Sequence, residues 1–256
     1  MNKTVLITGS TSGIGLGIAH QFAKEGYNIM FHGLEANGQD IANNIAQEHN
    51  IKVGFSNANL LQSEAIEHLI NETINTFGSL HVLVNNAGIQ FVSPIEDFPN
   101  NKYENIIAIN MNAAFYASKA AWKQMKKQNF GRIINVSSVH GLRASEFKSA
   151  YVTAKHGVIG MTKVLALEGA PFNITCNAIC PGYVKTPLVE GQIKDQAKAH
   201  NMTEDDVVEK VMLKKQAVKQ FVPVEAIADM AILLAKDSST TITGTSFALD
   251  GGWSAQ

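Results

Sequence analysis

Apolar residues along the chain switch repeatedly between two spacings, a short continuous run and then a recurrence at three and four positions. The first run, Thr4 to Thr8, enters a turn rich in Gly, Ser and Thr from Gly9 to Gly15. Ile14, Ile18, Ala19 and Phe22 then share one face of a helix that Gly26 stops. Asn28 to Phe31 and Lys52 to Phe55 predict two further strands, with a polar helix over Ala36 to His49 between them. A helix over Leu61 to Phe77 leads to a strand at Val82 to Val84, and a long helical region near Asn101 to Gln128 leads to a strand at Arg132 to Val136. A loop from His140 to Lys148 precedes a helix over Ser149 to Leu167. The strand Ile174 to Ile179 follows and ends at Pro181-Gly182. Val224 to Ala235 is apolar, and Thr245 to Leu249 reads as the last strand.

Short strands separated by helices predict an α/β fold: a single-domain, Rossmann-type doubly wound parallel sheet with helices on both faces. No shift in composition marks a second domain, so one domain is expected over residues 1–256. The stretch from Thr186 to Gln220 is charged and lacks strand signals, which predicts a helical lid outside the sheet.

Composition narrows the partners. With 45% apolar and 17% charged residues the chain reads as a compact globule. Its 21 basic residues against 22 acidic ones argue against nucleic acid, which needs a concentrated basic surface. The densest basic stretch, Lys119, Lys123, Lys126, Lys127 and Arg132, reads as a solvated helical face. No apolar segment is long enough to span a membrane and the opening run is too short for a secretory signal, so the cytoplasm is expected. Cys176 and Cys180 lie on one predicted strand, about 13 Å apart if extended, and read as two buried free thiols rather than a disulfide. Neither has the neighbours of a zinc site, and no metal is expected.

The glycine turn sits where a strand passes into a helix, the place at which free N–H groups and the helix dipole favour a pyrophosphate. No Arg or Lys occurs in Phe31 to Glu35 or in Ser10 to Ser12, which favours NAD over NADP. Glu35 is a candidate acceptor for ribose hydroxyls. Tyr151 and Lys155, four apart on a predicted helix, share a face. Lowering a tyrosine pKa from about 10 toward 7 takes roughly 4 kcal/mol. An ammonium about 4 Å away at an effective dielectric near 20 supplies about that much, less desolvation. A serine after the Arg132 to Val136 strand, Ser138 or its neighbour Ser137, offers a hydroxyl for a carbonyl or alcohol oxygen.

Thr8-Gly9-x-x-x-Gly13-x-Gly15, Asn85-Asn86-Ala87-Gly88, Asn110, Ser138, Tyr151-x-x-x-Lys155 and Pro181-Gly182, in this order, make the chain resemble the short-chain dehydrogenase/reductase family over essentially its whole length. The resemblance implies that Tyr151 is the acid/base, Lys155 lowers its pKa and binds ribose, Ser138 orients substrate and Asn110 organises a relay water. It places Gly9, Thr11, Ser12, Gly13, Ile14, Gly15, Leu34, Leu60, Asn86, Ala87, Gly88, Pro181, Gly182, Val184 and Thr186, with Tyr151 and Lys155, around NAD. Asn59 departs from the aspartate common beside adenine and keeps a hydrogen-bonding side chain without the carboxylate.

A narrower likeness, carried by Gly9 to Gly17, Asn85 to Gln90, Ser138 to Gly141, Thr186 to Val189 and Asp250 to Trp253, is to homotetrameric members of that family that oxidise D-3-hydroxybutyrate to acetoacetate with NAD. It implies a substrate pocket of Gln90, Ser138, His140, Lys148, Tyr151, Gln192 and Trp253. Lys148 would offset a carboxylate, Gln90, His140 and Gln192 would donate hydrogen bonds, and Trp253 would close an apolar side. The alternatives are a carrier-protein reductase or sugar-alcohol dehydrogenase of the same family, and a regulator that binds a dinucleotide without chemistry.

Overall fold

In the computed structural model, which describes residues 2–255, the first apolar run becomes β1 (Thr4–Ile7), buried on both faces, and the glycine turn delivers the chain into α1 (Gly13–Lys24). The same unit recurs as β2 (Asn28–His32), α2 (Gly38–His49), β3 (Val53–Ser56), α3 (Ser63–Phe77) and β4 (Val82–Asn85). The second half runs through α4 (Asn100–Ile107), α5 (Ala113–Lys127), β5 (Gly131–Val136), α6 (Ser149–Gly169) and β6 (Ile174–Pro181). It ends with α7 (Pro187–His200), α8 (Glu204–Val207), α9 (Val224–Ala235) and β7 (Ser246–Leu249).

All pairs are parallel, in the order β3-β2-β1-β4-β5-β6-β7. Order reverses between β1 and β4, so the crevice beyond their carboxyl ends is the topological switch point where ligands of such sheets bind. One face is covered by α1, α2 and α9, with Ile18, Phe22, Ile45, Ile227 and Ala231 against Val5, Ile29 and Val84. On the other, Ile66 and Leu69 of α3 and Ala117 and Ala121 of α5 pack on Leu6, Leu83 and Ile133. This is the expected doubly wound sheet. Among the described residues no helix is long and apolar enough to cross a membrane.

Three local differences from the expectation have physical causes. The long helix over 101–128 is interrupted by a π-turn at Ala108–Asn112. There the Asn110 amide leaves the helix to accept the Ile89 N–H (2.9 Å) and donate to the Ile89 carbonyl (2.9 Å). The strand over 174–179 runs on to Pro181 because β5 stops at Val136, opposite Ile179, so no partner on that side needs a donor from the proline, while the Gly182 N–H reaches Leu249 O at 2.9 Å. Arg132 does not belong to a solvated basic face. It is fully buried at the start of β5, its guanidinium donating to the carbonyls of Gly131 (2.8 Å) and Asn173 (2.9 Å) above the Phe130 ring. Proximity in sequence to the α5 lysines misled the reading, since a residue that enters a strand no longer follows the helical face before it.

Cys176 and Cys180 are both buried free thiols of β6, as expected, and burial pushes them up to about 12 and about 11. Residues 186–220 stand outside the sheet around a small core of their own, Val189 and Ile193 of α7 with Val207 and Met212.

Candidate active site

The glycine turn is built for close approach. Gly13 takes φ +54°, and a Cβ on Gly15 would meet the Gly9 carbonyl oxygen at 2.1 Å. The Thr8 hydroxyl accepts the N–H groups of Asn86 (3.0 Å) and Ala87 (3.1 Å), and the Asn86 amide donates to the carbonyls of Thr8 (2.9 Å) and Gly9 (3.0 Å). The turn and the loop after β4 are thus one rigid wall. His32 ties the other side. Its Nδ1 accepts the Gly9 N–H at 3.0 Å, which leaves Nε2–H to donate to Ala58 O at 2.9 Å.

Between these walls runs a groove lined by Gly9, Thr11, Ser12, Gly13, Ile14, Leu34, Asn59, Leu60, Asn86, Ala87, Gly88, Tyr151, Lys155 and Thr186. Gly15 lies buried behind it. Ser12, at the N-cap of α1, makes no side-chain bond to the helix, so the first-turn N–H groups stay available to an anion. Its hydroxyl donates instead to Glu35 (3.1 Å), and the Thr11 hydroxyl donates to the same carboxylate. Although partial burial raises the Glu35 pKa, these bonds outweigh it and the net shift is downward, so a full negative charge sits at the end of β2. Asn59 is exposed, and its side-chain oxygen already accepts the Leu61 N–H at 3.0 Å.

Pro181, Gly182 and Val184 line the pocket beside the groove, together with Gln90, Ser138, His140, Lys148, Tyr151, Gln192 and Trp253. All seven positions expected around substrate therefore meet in one pocket. Asn110 does not reach it. It lines a smaller cavity shared with Lys155, held there by Ile89.

Tyr151 stands on the first turn of α6 against Ile106 and Ala154. One turn on, Lys155 places its Nζ 2.8 Å from the Val136 carbonyl and 5.5 Å from the Tyr151 ring centre. The two serines after β5 separate cleanly. Ser137 spends its hydroxyl on the Lys155 carbonyl (3.1 Å), whereas Ser138 lines the pocket with Tyr151, and its side chain pulls the phenol's pKa down.

The phenol is not made acidic by the ammonium alone. Burial raises Tyr151 to about 12, only partly opposed by Ser138, and burial lowers Lys155 to about 8. Desolvation is the largest influence on both groups.

At the pocket's far end, Lys148 is only 5% exposed and donates to the Tyr183 hydroxyl at 3.1 Å. Tyr183 stacks on Trp253 with ring centres 5.9 Å apart, and Trp253 meets His140 edge-on at 5.2 Å. Tyr183, absent from the sequence reading, carries no motif; its place next to Pro181-Gly182 was the available signal. No carboxylate lines the pocket among the described residues, and the buried amide atoms of Gln90 and Oε1 of Gln192 have no protein partner. Such atoms are satisfied by a polar guest.

A glycine turn with open helix N–H groups, continuous with a Tyr/Lys/Ser corner, fits a nicotinamide dinucleotide. The chain belongs to the short chain dehydrogenase family, whose pattern it matches over residues 3–197, and it is an oxidoreductase that uses a nicotinamide dinucleotide. It is 48% identical over 258 residues to the D-beta-hydroxybutyrate dehydrogenase of Rhizobium meliloti (strain 1021), covering 100% of both chains. To the enzyme of that name from Cupriavidus necator it is 44% identical, over 99% of this chain and 98% of the relative. The solved actinorhodin polyketide ketoreductase with NADPH superimposes with a TM-score of 0.94 at 26% identity, covering 100% of this chain and 98% of the other.

Two buried imidazoles make stability fall in acid. Burial, reinforced by Lys148, lowers His140 to about 3, and burial also lowers His32. Both are neutral in the folded chain, whereas unfolded histidine binds its proton near pH 6.5. The unfolded state then holds more protons as pH drops below about 6.5, so folding stability is lost in that direction. Thermal melts from pH 7 to about pH 4 are expected to lose several degrees, with a smaller loss in His140→Gln. A melting temperature constant over that range would contradict the buried neutral imidazoles.

Proposed function

We propose that the chain oxidises D-3-hydroxybutyrate to acetoacetate with NAD, reversibly. The observation that carries this reading is Lys148: a buried cation in a pocket that no described carboxylate lines, beside the unpartnered amides of Gln90 and Gln192. A buried charge without a counter-ion is costly, and a substrate carboxylate removes that cost. The Tyr183–Trp253 stack closes the same end with flat apolar surface, which suits a methyl group and leaves little length for a longer acid.

The Tyr151 phenol takes the proton of the substrate hydroxyl as phenolate and returns it in the reverse direction. Ser138 holds the substrate oxygen, and Lys155 supplies positive charge beside the phenol. When bound, NAD accepts the hydride and brings a positively charged nicotinamide ring. Bringing Tyr151 from about 12 to near 7 takes roughly 7 kcal/mol of preferential phenolate stabilisation. Lys155 and Ser138 furnish the chain's share of it. Asn110 fixes Ile89, next to Gln90, and the water-organising role implied by the family requires one of its amide atoms to leave that bond.

The Glu35 carboxylate, held by Thr11 and Ser12, accepts from ribose hydroxyls and repels a 2'-phosphate, which supports NAD over NADP. Residues 186–220 act as the lid, contributing Leu188, Val189 and Gln192 to the pocket. The chain assembles as a homotetramer, which would cover the exposed Phe115 and Tyr116 of α5 and Val164 and Leu167 of α6. Two reduced thiols suit a cytoplasmic setting.

Initial rates on D- and L-3-hydroxybutyrate, longer 3-hydroxy acids and sugar alcohols, each with NAD and NADP, test the reading. The D-enantiomer with NAD is expected to be fastest, at least about tenfold over NADP. Preference for a long acyl thioester with NADPH would replace it with a carrier-protein reductase, and NAD binding without turnover of any alcohol with a regulator.

Two variants divide the roles. Tyr151→Phe should lower kcat by about a hundredfold or more with little change in NAD affinity, since it deletes only the proton carrier. Lys148→Ala should raise KM for the acid about tenfold or more and leave NAD affinity alone. An unchanged acid KM in Lys148→Ala would remove the carboxylate from that end of the pocket.

A further inference from the structure

Beyond the pocket, a line of polar groups leads from Ser138 to the 186–220 segment. Ser138 Oγ lies 3.4 Å from His140 Nδ1, His140 Nε2 lies 3.1 Å from Ser145 Oγ, and Lys215 Nζ donates to Ser145 Oγ at 3.4 Å. Lys215 belongs to the turn Leu213–Lys215 and lies over the Trp253 ring at 5.4 Å. Long bonds of this kind around a reacting group tighten once substrate is held.

Donors and acceptors give the line a direction. An ammonium has hydrogens to give and no lone pair, so the Ser145 oxygen accepts from Lys215. An N–H of His140 pointing the same way would turn its positive end toward that charge, whereas a lone pair on Nε2 faces it favourably and accepts the Ser145 hydrogen. A neutral imidazole then carries its hydrogen on Nδ1, aimed at Ser138. The Ser138 oxygen also accepts the His140 backbone N–H at 3.1 Å, so both its lone pairs are engaged. Its own hydrogen is left for the oxygen at Tyr151.

We infer that Lys215 and Ser145 are positioning residues that hold His140 in its Nδ1–H form and thereby make Ser138 a hydrogen-bond donor to the phenol and the reacting oxygen. The effect on turnover rests on the hydroxy-acid reading; the tautomer does not. A donor from Ser138 stabilises phenolate, the form that must take the proton. Because Lys215 is carried by the segment that covers the pocket, that segment's position sets the polarity of the serine.

The test is the tautomer of His140 in the full chain labelled with 15N-histidine, its signals assigned by their loss in His140→Gln. Wild type is expected to show a protonated Nδ1 and a bare Nε2, and Lys215→Met and Ser145→Ala a shift toward the opposite form. In the same variants kcat on D-3-hydroxybutyrate should fall about tenfold with KM changed less than about twofold, and Lys215→Arg, which also only donates, should restore it. An Nε2–H form in wild type, or one unchanged tautomer in all three proteins, overturns the inference. Absence of hydroxybutyrate turnover beside the expected tautomer would refute the substrate reading and leave this one standing.

A second inference concerns a different face. His20 of α1 and Glu48 and His49 of α2 bring one ligand atom each to within 4.8 Å of one another. Nε2 of His49 is buried without a hydrogen bond, 3.4 Å from Glu48 Oε1, and the two rings meet edge-on with centres 6.4 Å apart. Two imidazoles and a carboxylate from separate helices form a ligand set for a borderline divalent ion such as Zn2+. The geometry points to a transition-metal site that fastens α2 to α1, away from the pocket and apart from the hydride chemistry. Metal-free protein titrated with Zn2+ against a chromogenic chelator should bind one ion per chain and melt higher, with no response to Mg2+. Both effects should weaken more than about tenfold in His49→Gln and in His20→Gln. Zinc affinity in either variant equal to that of wild type, or no stoichiometric binding by wild type, overturns this site.

Discussion

A phenol and an ammonium one helical turn apart attract each other strongly only when the phenol has already lost its proton, and here both are wrapped in protein. Burial lifts Tyr151 to about 12 and brings Lys155 down to about 8, so each group is pushed toward its neutral form. The pair is therefore held back. Positive charge has to arrive beside it before the phenol gives way, and the groove that ends at Tyr151 and Lys155 is the place where such charge enters. Desolvation is the cost that any phenolate at this corner has to overcome.

The rest of the molecule serves that corner by bringing distant segments to one end of the sheet. Parallel strands point their carboxyl ends the same way, so the turn after β1, the loop after β4 and the serines after β5 converge without any of them being close in sequence. Thr8, Asn86 and His32 lock the first two walls together. On the other side Lys148, Tyr183 and Trp253 form a stacked wall that carries a cation at one edge. Groove and pocket share Tyr151, and two guests held there are brought to the same phenol.

What was legible in the sequence follows from what periodicity encodes. The strand-turn-helix at Thr4 to Phe22 and the four-residue step from Tyr151 to Lys155 are local, and local spacing determines which side chains share a face. Ser137 and Ser138 were not separable, because both follow the end of the strand at Val136, where alternation stops applying. Arg132 was misplaced because it already lies inside that strand, where the helical spacing of the preceding lysines no longer holds. Glu35 meeting Thr11 and Ser12, Tyr183 meeting Lys148, and Lys215 meeting Ser145 are tertiary partnerships between segments that no period connects. The acidity of Tyr151 was legible only in part: a sequence displays the neighbouring charge, but not how much water is removed around it.

The wide turn at Ala108–Asn112 works as a phase shifter. A single extra residue accommodated there offsets everything downstream by roughly 100° around the helix axis. With that offset, Ala113, Ala117 and Ala121 form a narrow seam against α3 and the sheet while Asn110, a turn earlier, clasps the main chain of Ile89. A regular helix of the same sequence could satisfy one of these demands and not both. Shortening this stretch by one residue would leave a better helix and a worse enzyme, since either the alanine seam or the clasp next to Gln90 would be turned out of place.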